Sequence, residues 1–234
     1  MAVASTPFTG FSREAIQFLA DLAANNERAW FQPRKPEYER LLKQPLEALC
    51  VALAERFAAA GLPLVSDPVR SPFRIYRDVR FSKDKSPYKT HVSADFPWVG
   101  GDTAEGRTAT VHGAGGYFHF QPGEIFVGGG MWRPAPERLA AWRSMVDRDP
   151  GRVHAATDDP AFVARFGGVG GDRLKRVPAG YPSDHPDAEL LKLKDVTFGC
   201  RLSDDDGLSP ALPDTITAAF ASALPVMRLL SELP

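Results

Sequence analysis

The sequence predicts an α+β fold, with a mainly antiparallel central sheet and helices from both chain ends packed on it. Helical periodicity fills residues 12–61 and the end of the chain, whereas residues 73–131 carry strand-like alternation. Turns and polar loops, rather than crossover helices, separate the predicted strands, which favours antiparallel pairing. A run of strands between two runs of helices is typical of α+β proteins.

Length and composition are those of an ordinary globular protein. The chain has 234 residues, of which 44% are hydrophobic and 24% charged. We expect residues 1–10 to form a disordered lead-in and residues 11–234 to form a single α+β domain. The net charge of -1 argues against bulk attraction to nucleic acid or to anionic lipid, so binding to either would require a local patch.

Cysteine usage and the absence of targeting segments predict a cytoplasmic protein. Cys50 lies in an apolar helical run and Cys200 in an apolar strand-like run, which suggests two buried thiols in a reducing compartment. Residues 1–12 lack the basic and apolar regions of a signal peptide. No apolar stretch approaches the ~20 residues of a membrane helix, so we expect no membrane association. The oligomeric state is left open.

Two helical segments are predicted before residue 62. Ser12 is a good N-cap for the first, which Asn25–Asn26 ends before a short turn holding Trp30 and Phe31. Pro36 suits the first turn of a second, longer helix that Gly61 ends. Pro45 removes a backbone donor inside this helix, and we expect a kink there because the apolar stripe keeps its phase.

Strands are predicted in the middle of the chain. Residues 91–99 alternate cleanly, with Val92, Ala94, Phe96 and Trp98 on one face and His91, Ser93 and Asp95 on the other. Residues 116–121 and 124–131, separated by Pro122–Gly123, read as a β-hairpin. Shorter or later strands are expected at residues 73–77, 174–177 and 195–202, and residues 100–116 read as a glycine-rich loop.

Further helices are expected at residues 134–147, 151–157, 160–166, 186–194 and 213–233, the last with a kink at Pro225.

The main charge asymmetry lies in residues 70–91, called the basic segment from here on. Its local charge is +5 on a chain of net charge -1, so the remaining residues carry -6. Arginine forks suit carboxylate or phosphate groups, and tyrosines and short hydroxyls beside lysines add donors. The cations of the segment are Arg70, Arg74, Arg77, Arg80, Lys83, Lys85 and Lys89, set against Asp78 and Asp84.

This composition predicts a site for a small anionic ligand, with no cofactor. Each charge-assisted hydrogen bond contributes about 1.5–3 kcal/mol, so three convergent ones suffice for micromolar binding. The structural alternative is a solvated edge strand or a network of internal salt bridges. The expected ligand contacts are Arg74, Tyr76, Arg77, Arg80, Lys83, Lys85, Tyr88, Lys89, His91 and Arg176.

Residues 74–89, which read Arg-Ile-Tyr-Arg-Asp-Val-Arg-Phe-Ser-Lys-Asp-Lys-Ser-Pro-Tyr-Lys, resemble the signature of an uncharacterised, mostly microbial family, domain of unknown function 2461. Three other parts of this chain are similar to further landmarks of that family: Asn25–Asn26 with Trp30–Phe31, residues 128–132 and residues 174–181. The resemblance covers nearly the whole chain. The resemblance implies a single cytosolic domain, and no activity can be inferred from it.

Other motifs predict no specific chemistry. The glycine runs at residues 113–116 and 167–171 lack the spacing and the Lys-Ser or Lys-Thr of a phosphate loop. Gly128–Gly130 ends a strand, so either the backbone kinks there or another group approaches it closely. The second alternative suggests that these residues form part of a ligand-binding wall. No two histidines have the helical spacing of a zinc site, so no metal site is expected, although His91 with Asp95, or His119, can line a site.

Two functional hypotheses follow, and the sequence leaves open whether the protein is an enzyme. The first is a basic cleft that binds a small phosphate- or carboxylate-bearing ligand; if it is catalytic, transfer or hydrolysis on such a substrate is the expected class. The alternative is a non-catalytic interaction module that docks an acidic protein or RNA through the basic segment. The aromatic residues among the cations suit single-stranded nucleic acid, while the net charge argues against it.

Overall fold

The computed structural model describes residues 7–80, 82–99 and 114–234, and it confirms the α+β prediction. Residues 1–6 of the expected lead-in lie outside the described residues. Residues 100–113, most of the expected glycine-rich loop, lie outside them too.

A four-stranded antiparallel sheet forms the middle of the protein, with the strand order β1-β2-β3-β4. The strands are β1 (Val92–Pro97), β2 (Gly115–Gln121), β3 (Glu124–Met131) and β4 (Val196–Leu202). The hairpin predicted at Pro122–Gly123 is confirmed, since β2 and β3 pair directly across this turn. Gly123 has the positive φ of 70° that such a two-residue turn requires.

Helices precede, interrupt and follow the sheet. Within the described ranges, none of them combines the length and the apolar character that crossing a bilayer requires. The helices are α1 (Arg13–Ala24), α2 (Arg28–Tyr38), α3 (Gln44–Ala59), α4 (Pro136–Arg148), α5 (Pro150–Thr157), α6 (Pro160–Phe166), α7 (Ala188–Leu191), α8 (Asp204–Leu208) and α9 (Leu212–Ser231).

The core lies between one face of the sheet and helices α3 and α9, so helices from both chain ends cover the sheet as predicted. Phe57 of α3, Phe96 of β1 and Phe220 of α9 meet in edge-on contacts with ring centroids 5.5–5.9 Å apart. Gly116 of β2 lets the Phe220 ring approach the strand, because a Cβ there would lie 2.5 Å from that ring. The opposite face of the sheet is thereby left to other elements.

The N-terminal helices differ from the prediction in two places. Trp30 and Phe31 lie inside α2, not in a short turn, and Pro36 lies near its end. Burial of Phe31 offsets the backbone donors lost at the prolines of α2. The expected disturbance at Pro45 takes the form of a π-helical turn over Glu39–Lys43, in which Gln44 N–H donates to the carbonyl five residues back.

Two of the predicted short strands are wrong. Residues 73–77 hold a single isolated bridge, between Tyr76 and Tyr88, and Pro72 just before them bridges Ala94. Residues 174–177 are irregular and are preceded by a single bridge at Arg173. Prolines 72, 87 and 178 beside these stretches lack the N–H that a longer ladder requires.

The basic segment is anchored to the N-terminal helices through Tyr88. Asn26 holds both backbone groups of Tyr88: its Oδ1 accepts from the Tyr88 N–H at 3.0 Å and its Nδ2 donates to the Tyr88 carbonyl at 2.9 Å. The Tyr88 ring is 1% exposed and stacks on Phe31 at 4.1 Å. The end of the basic segment is therefore fixed where it leads into β1.

His154 gives the fold a pH-dependent contact away from the sheet. Its ring nitrogens lie 2.8 Å from Asp158 and 2.8 Å from Asp187. Hydrogen bonds to Asp158 and then Asp187 raise the pKa of His154. A raised folded-state pKa adds stability that is complete below the unfolded pKa and is lost as pH rises through the folded one.

We expect His154→Gln to destabilise the protein most at acidic pH. The difference from the native protein in free energy of unfolding should shrink as pH rises past neutrality, because the native histidine then loses its charge. Urea unfolding at pH 5.5 and pH 8.5 measures it, with Asp158→Asn as a variant that should reproduce the trend. An equal difference at both pH values would show that His154 acts without its charge.

Candidate functional site

The outer face of the sheet, opposite the helical core, divides into a polar half and a glycine half. Strand register places Ser93 beside His119 and Asp95 beside Tyr117, all on β1 and β2. The Asp95–Tyr117 row continues onto β3 and β4 as Gly128 and Gly199, and the next row has Gly130 beside Thr197, whereas the Ser93–His119 row continues as Phe126 and Arg201. Since glycine has no side chain, the Phe126 ring can lie against Gly128 and Gly199, and space remains beside that ring while titratable groups border it on β1 and β2.

A cavity of about 700 Å³ occupies this space. That volume lies within the range typical of small-molecule sites. Its walls come from the sheet, both ends of the basic segment, Trp132 just after β3, and α6 with the loop that follows it. The lining residues are Phe73, Lys89, His91, Ser93, Asp95, Gly115, Gly116, Tyr117, Phe126, Gly129, Gly130, Trp132, Phe166, Gly168, Gly170, Thr197, Phe198 and Gly199.

Asp95 is a buried carboxyl group in the cavity wall. The residue is 8% exposed, and burial raises its pKa to about 6, against a smaller opposing effect of a backbone hydrogen bond. Its backbone N–H donates to the Ser71 carbonyl at 3.0 Å, which ties β1 to the start of the basic segment. A carboxyl group with this pKa changes charge close to neutral pH and is suited to proton transfer.

Two histidine rings lie close together, and that of His91 is in the same wall. The rings of His91 and His119 lie 4.3 Å apart at 32°. Burial, then the neighbouring His119 and Lys89, lower the pKa of His91 to about 4, and burial also lowers the pKa of His119. Both rings are therefore neutral at pH 7. His119 Nε2 is buried and has no hydrogen-bond partner within the described ranges. Burying an unsatisfied polar atom destabilises the folded state, and an apolar side chain at this position would avoid that cost.

Tyr117 extends the polar wall. Its hydroxyl lies 3.0 Å from His119 Nδ1. Burial raises the pKa of Tyr117, and a hydrogen bond with Ser93 acts in the opposite direction. The phenol therefore keeps its proton at neutral pH and can donate or accept inside the cavity.

Lys89 supplies the cavity with a cation. Its Nζ lies 4.9 Å from the centre of the Phe73 ring, and it forms no ion pair with any carboxylate in the described part of the chain. Burial, and secondarily the charge of Arg74, lower the pKa of Lys89. Its backbone N–H donates to the Ile75 carbonyl at 2.8 Å, so the base of the side chain is fixed.

The rest of the wall is aromatic. Phe126 lies on β3, with its ring against Gly128 and Gly199, where a Cβ would lie 2.7 and 2.3 Å from that ring. Trp132 stands just after β3, and Phe166 ends α6. Sequence reasoning did not single out these aromatic residues, although Gly128–Gly130 was read as a hint of a ligand wall, and Gly129 and Gly130 do line the cavity.

Of the ten predicted ligand contacts, Lys89 and His91 lie in the cavity wall. Three others bind groups within the basic segment itself. Arg77 is ion-paired with Asp84, Arg80 lies 2.7 Å from a carboxylate oxygen of Asp78, and Lys85 Nζ donates to the Val79 carbonyl at 2.9 Å. This part of the segment matches the internal salt-bridge alternative, and its ligand contacts remain a prediction.

The remaining five predicted contacts do not line the cavity. Tyr88 is a core residue whose hydroxyl accepts a hydrogen bond from Gln32 at 3.3 Å. Tyr76 is 44% exposed and packs against Tyr88. Arg74 and Lys83 are exposed on the basic segment, and Arg176 is exposed in the loop before α7.

No group of three or more histidine, cysteine, aspartate or glutamate side chains in residues 7–80, 82–99 and 114–234 could hold a metal ion. Cys50 is buried and Cys200 half-buried, and both are free thiols. The chemistry that these residues offer the cavity is therefore one cation, neutral imidazoles, a phenol and a carboxyl group.

Comparison with known proteins identifies one family. A model described as "Conserved hypothetical protein (DUF2461)" matches residues 14–228. No curated protein and no solved structure matched the chain significantly. The match spans all four strands and every element that lines the cavity.

Proposed function

Because the chain belongs to the DUF2461 family of conserved hypothetical proteins, whose description names no activity, we propose a function from the cavity itself. The cavity binds a small ligand that carries a carboxylate or a phosphate group, and Lys89 contacts that group. The observation that carries this proposal is the position of Lys89, a cation in the wall of a largely apolar cavity with no ion-pair partner in the described ranges.

Charge in the surrounding wall is compatible with an anion. His91 and His119 are neutral at pH 7, so they can donate hydrogen bonds without adding a second charge. Asp95 has a pKa raised to about 6, so it is mostly ionised at pH 7 and an anion binds beside it more easily as pH falls below 6. Should the ligand be turned over, we expect Asp95 to exchange a proton with it.

The alternative, docking of an acidic protein or RNA on the basic segment, has less support. Arg77, Arg80 and Lys85 already bind Asp84, Asp78 and the Val79 carbonyl, so much of the positive charge is neutralised within the segment. Binding to such a surface also weakens steeply with salt, whereas contacts inside a cavity weaken less. Salt dependence therefore separates the two functions.

A thermal-shift panel of organic acids, sugar phosphates, nucleotides and short RNA, at low and moderate salt, tests the proposal. A ligand at 100 times its Kd adds about 2.7 kcal/mol of stability, or roughly 5–10 °C for a chain of this size. We expect at least one small anion to give a shift that survives moderate salt. Shifts by polyanions alone, lost at moderate salt, would favour the docking function.

Replacing Lys89 with methionine is expected to weaken binding of that anion about 10- to 100-fold, because one charge-assisted contact is lost. Methionine preserves much of the side-chain volume against Phe73. Titration calorimetry measures the change, and Lys85→Met is the matched control, since it removes the same charge from an exposed site outside the cavity. Equal weakening by both variants would place the anion on the surface of the basic segment.

A further inference from the structure

The cavity has an unusually aromatic wall for an anion site. Phe73, Phe126, Trp132 and Phe166 all border it, from four separate parts of the chain. An anion alone needs donors and cations, and of these side chains only Trp132, through its indole N–H, supplies a donor. Their ring faces instead suit a flat, apolar group, which stacks on aromatic rings in offset or edge-on geometry.

Trp132 is the most informative of these residues, because it is 51% exposed at the cavity although it is a large apolar side chain. Its ring is held from one side by the Arg133 guanidinium, 4.6 Å from the ring centre. Arg133 has a positive φ of 48°, and its backbone N–H donates to the buried Asp195 at 2.5 Å. Backbone strain of this kind persists where the surroundings impose it, and it is concentrated at functional sites.

The floor of the cavity is flat next to this ring. Gly199 is exposed and presents backbone to the cavity where another residue would project a side chain, and the Phe126 ring lies directly against it; the buried Gly130 also borders the cavity. Gly130 has a φ of 102°, a conformation that excludes most other residues. A planar group can therefore lie along the sheet between Phe126 and Trp132.

We infer that the ligand carries a flat aromatic ring in addition to its anionic group, with the ring beside Trp132 and Phe126 and the anion at Lys89. This inference rests on the proposed function. The shared chemistry is a planar ring bearing a carboxylate or phosphate, as in an aromatic acid or a nucleoside monophosphate. A methylated ammonium ligand also suits aromatic walls, but Lys89 in the same cavity would repel it.

Two pairs of probes isolate the ring. Benzoate and cyclohexanecarboxylate share a charge and a carbon skeleton, and only benzoate is flat; hydrophobicity alone favours the cyclohexane compound. AMP and ribose 5-phosphate share the sugar phosphate, and only AMP carries a ring system. Titration calorimetry on the full chain should show roughly 3- to 10-fold tighter binding for the planar member of at least one pair. The pair that responds identifies the source of the ring.

The variant Trp132→Leu should erase that preference, because it weakens binding of the planar member more than binding of its non-planar partner. Because Trp132 is half-exposed, the melting temperature of the variant should stay close to that of the native chain, which verifies folding. Equal affinity within both pairs, or a preference that persists in Trp132→Leu, would overturn the inference and leave the proposed function intact. Stabilisation by tetramethylammonium and by none of the four anions would overturn both.

Discussion

Replacing Gly130 with alanine is expected to destabilise the protein by about 3 kcal/mol or more. Gly130 has a φ of 102°, and a Cβ there would lie 2.2 Å from the Val196 carbonyl oxygen across the β3–β4 ladder. Neither atom can move without disturbing the pairing of the two strands, because the added Cβ is bonded directly to the β3 backbone and the oxygen belongs to the β4 backbone. Urea unfolding measures the loss.

Gly61→Ala is the control for this experiment. Gly61 also has a positive φ, 64°, but apart from its chain neighbours no atom of the described residues lies within 4 Å of the position of its Cβ. It should cost about 1 kcal/mol, the penalty of the left-handed conformation alone. If Gly130→Ala costs no more than Gly61→Ala, the β3–β4 ladder adapts easily and the cavity floor is less constrained than its geometry indicates.

Asp95→Asn is expected to stabilise the protein by about 2–3 kcal/mol at pH 7. Burial raises the pKa of Asp95 from 3.8 to about 6, so between these values the folded state holds a proton that the unfolded state releases. Asp95 therefore lowers the stability of the native protein as pH rises from about 4 to about 6, whereas His91, whose pKa is lowered to about 4, raises it over the same range. Asparagine has no charge to desolvate, so the Asp95→Asn variant should gain stability relative to the native protein across this range.

Urea unfolding at a series of pH values from 4 to 7 tests the Asp95 prediction. The control is Asp78→Asn, since hydrogen bonds from Arg80 lower the pKa of this exposed carboxylate to about 2, well below the measured range. That variant should keep the native pH dependence. An Asp95→Asn protein that is less stable than the native one at pH 7 would mean that the charged carboxylate is favourable in the folded cavity wall.

A stabilising substitution at Asp95 would also bear on function. Residues selected only for stability rarely leave buried charges and orphaned polar atoms, whereas functional sites often retain them at a cost. The buried Nε2 of His119 is a second example in the same wall. Both groups lie on the polar half of the outer sheet face, where apolar side chains would pack more favourably.

The sheet and most helices could be predicted because their signals are local. The Pro122–Gly123 turn between two alternating runs fixes the hairpin, and the alternation of residues 91–99 separates the core-facing Phe96 from the cavity-facing Asp95. Local reasoning failed where distant partners decide the structure. Tyr88, predicted as a ligand contact, is held in the core by Asn26, 62 residues earlier in the chain.

Only one part of the cavity wall, the part formed by the basic segment, could be predicted from the sequence. Lys89 and His91 were identified because charge is concentrated in the basic segment, which is visible in the sequence. Trp132 and Phe166 reach the same cavity through strand pairing and helix packing that bring distant parts of the chain together. No charge or spacing pattern marks them, so their role requires the assembled fold.

The location of a bound anion tests the central claim most directly. Crystals soaked with 4-iodobenzoate allow the ligand to be located by the anomalous scattering of iodine, independently of any assumed pose. The proposal predicts an iodine peak inside the cavity, with the carboxylate about 3 Å from Lys89 Nζ. Iodine found only outside the cavity, beside exposed cations such as Arg74 or Lys83, would contradict it.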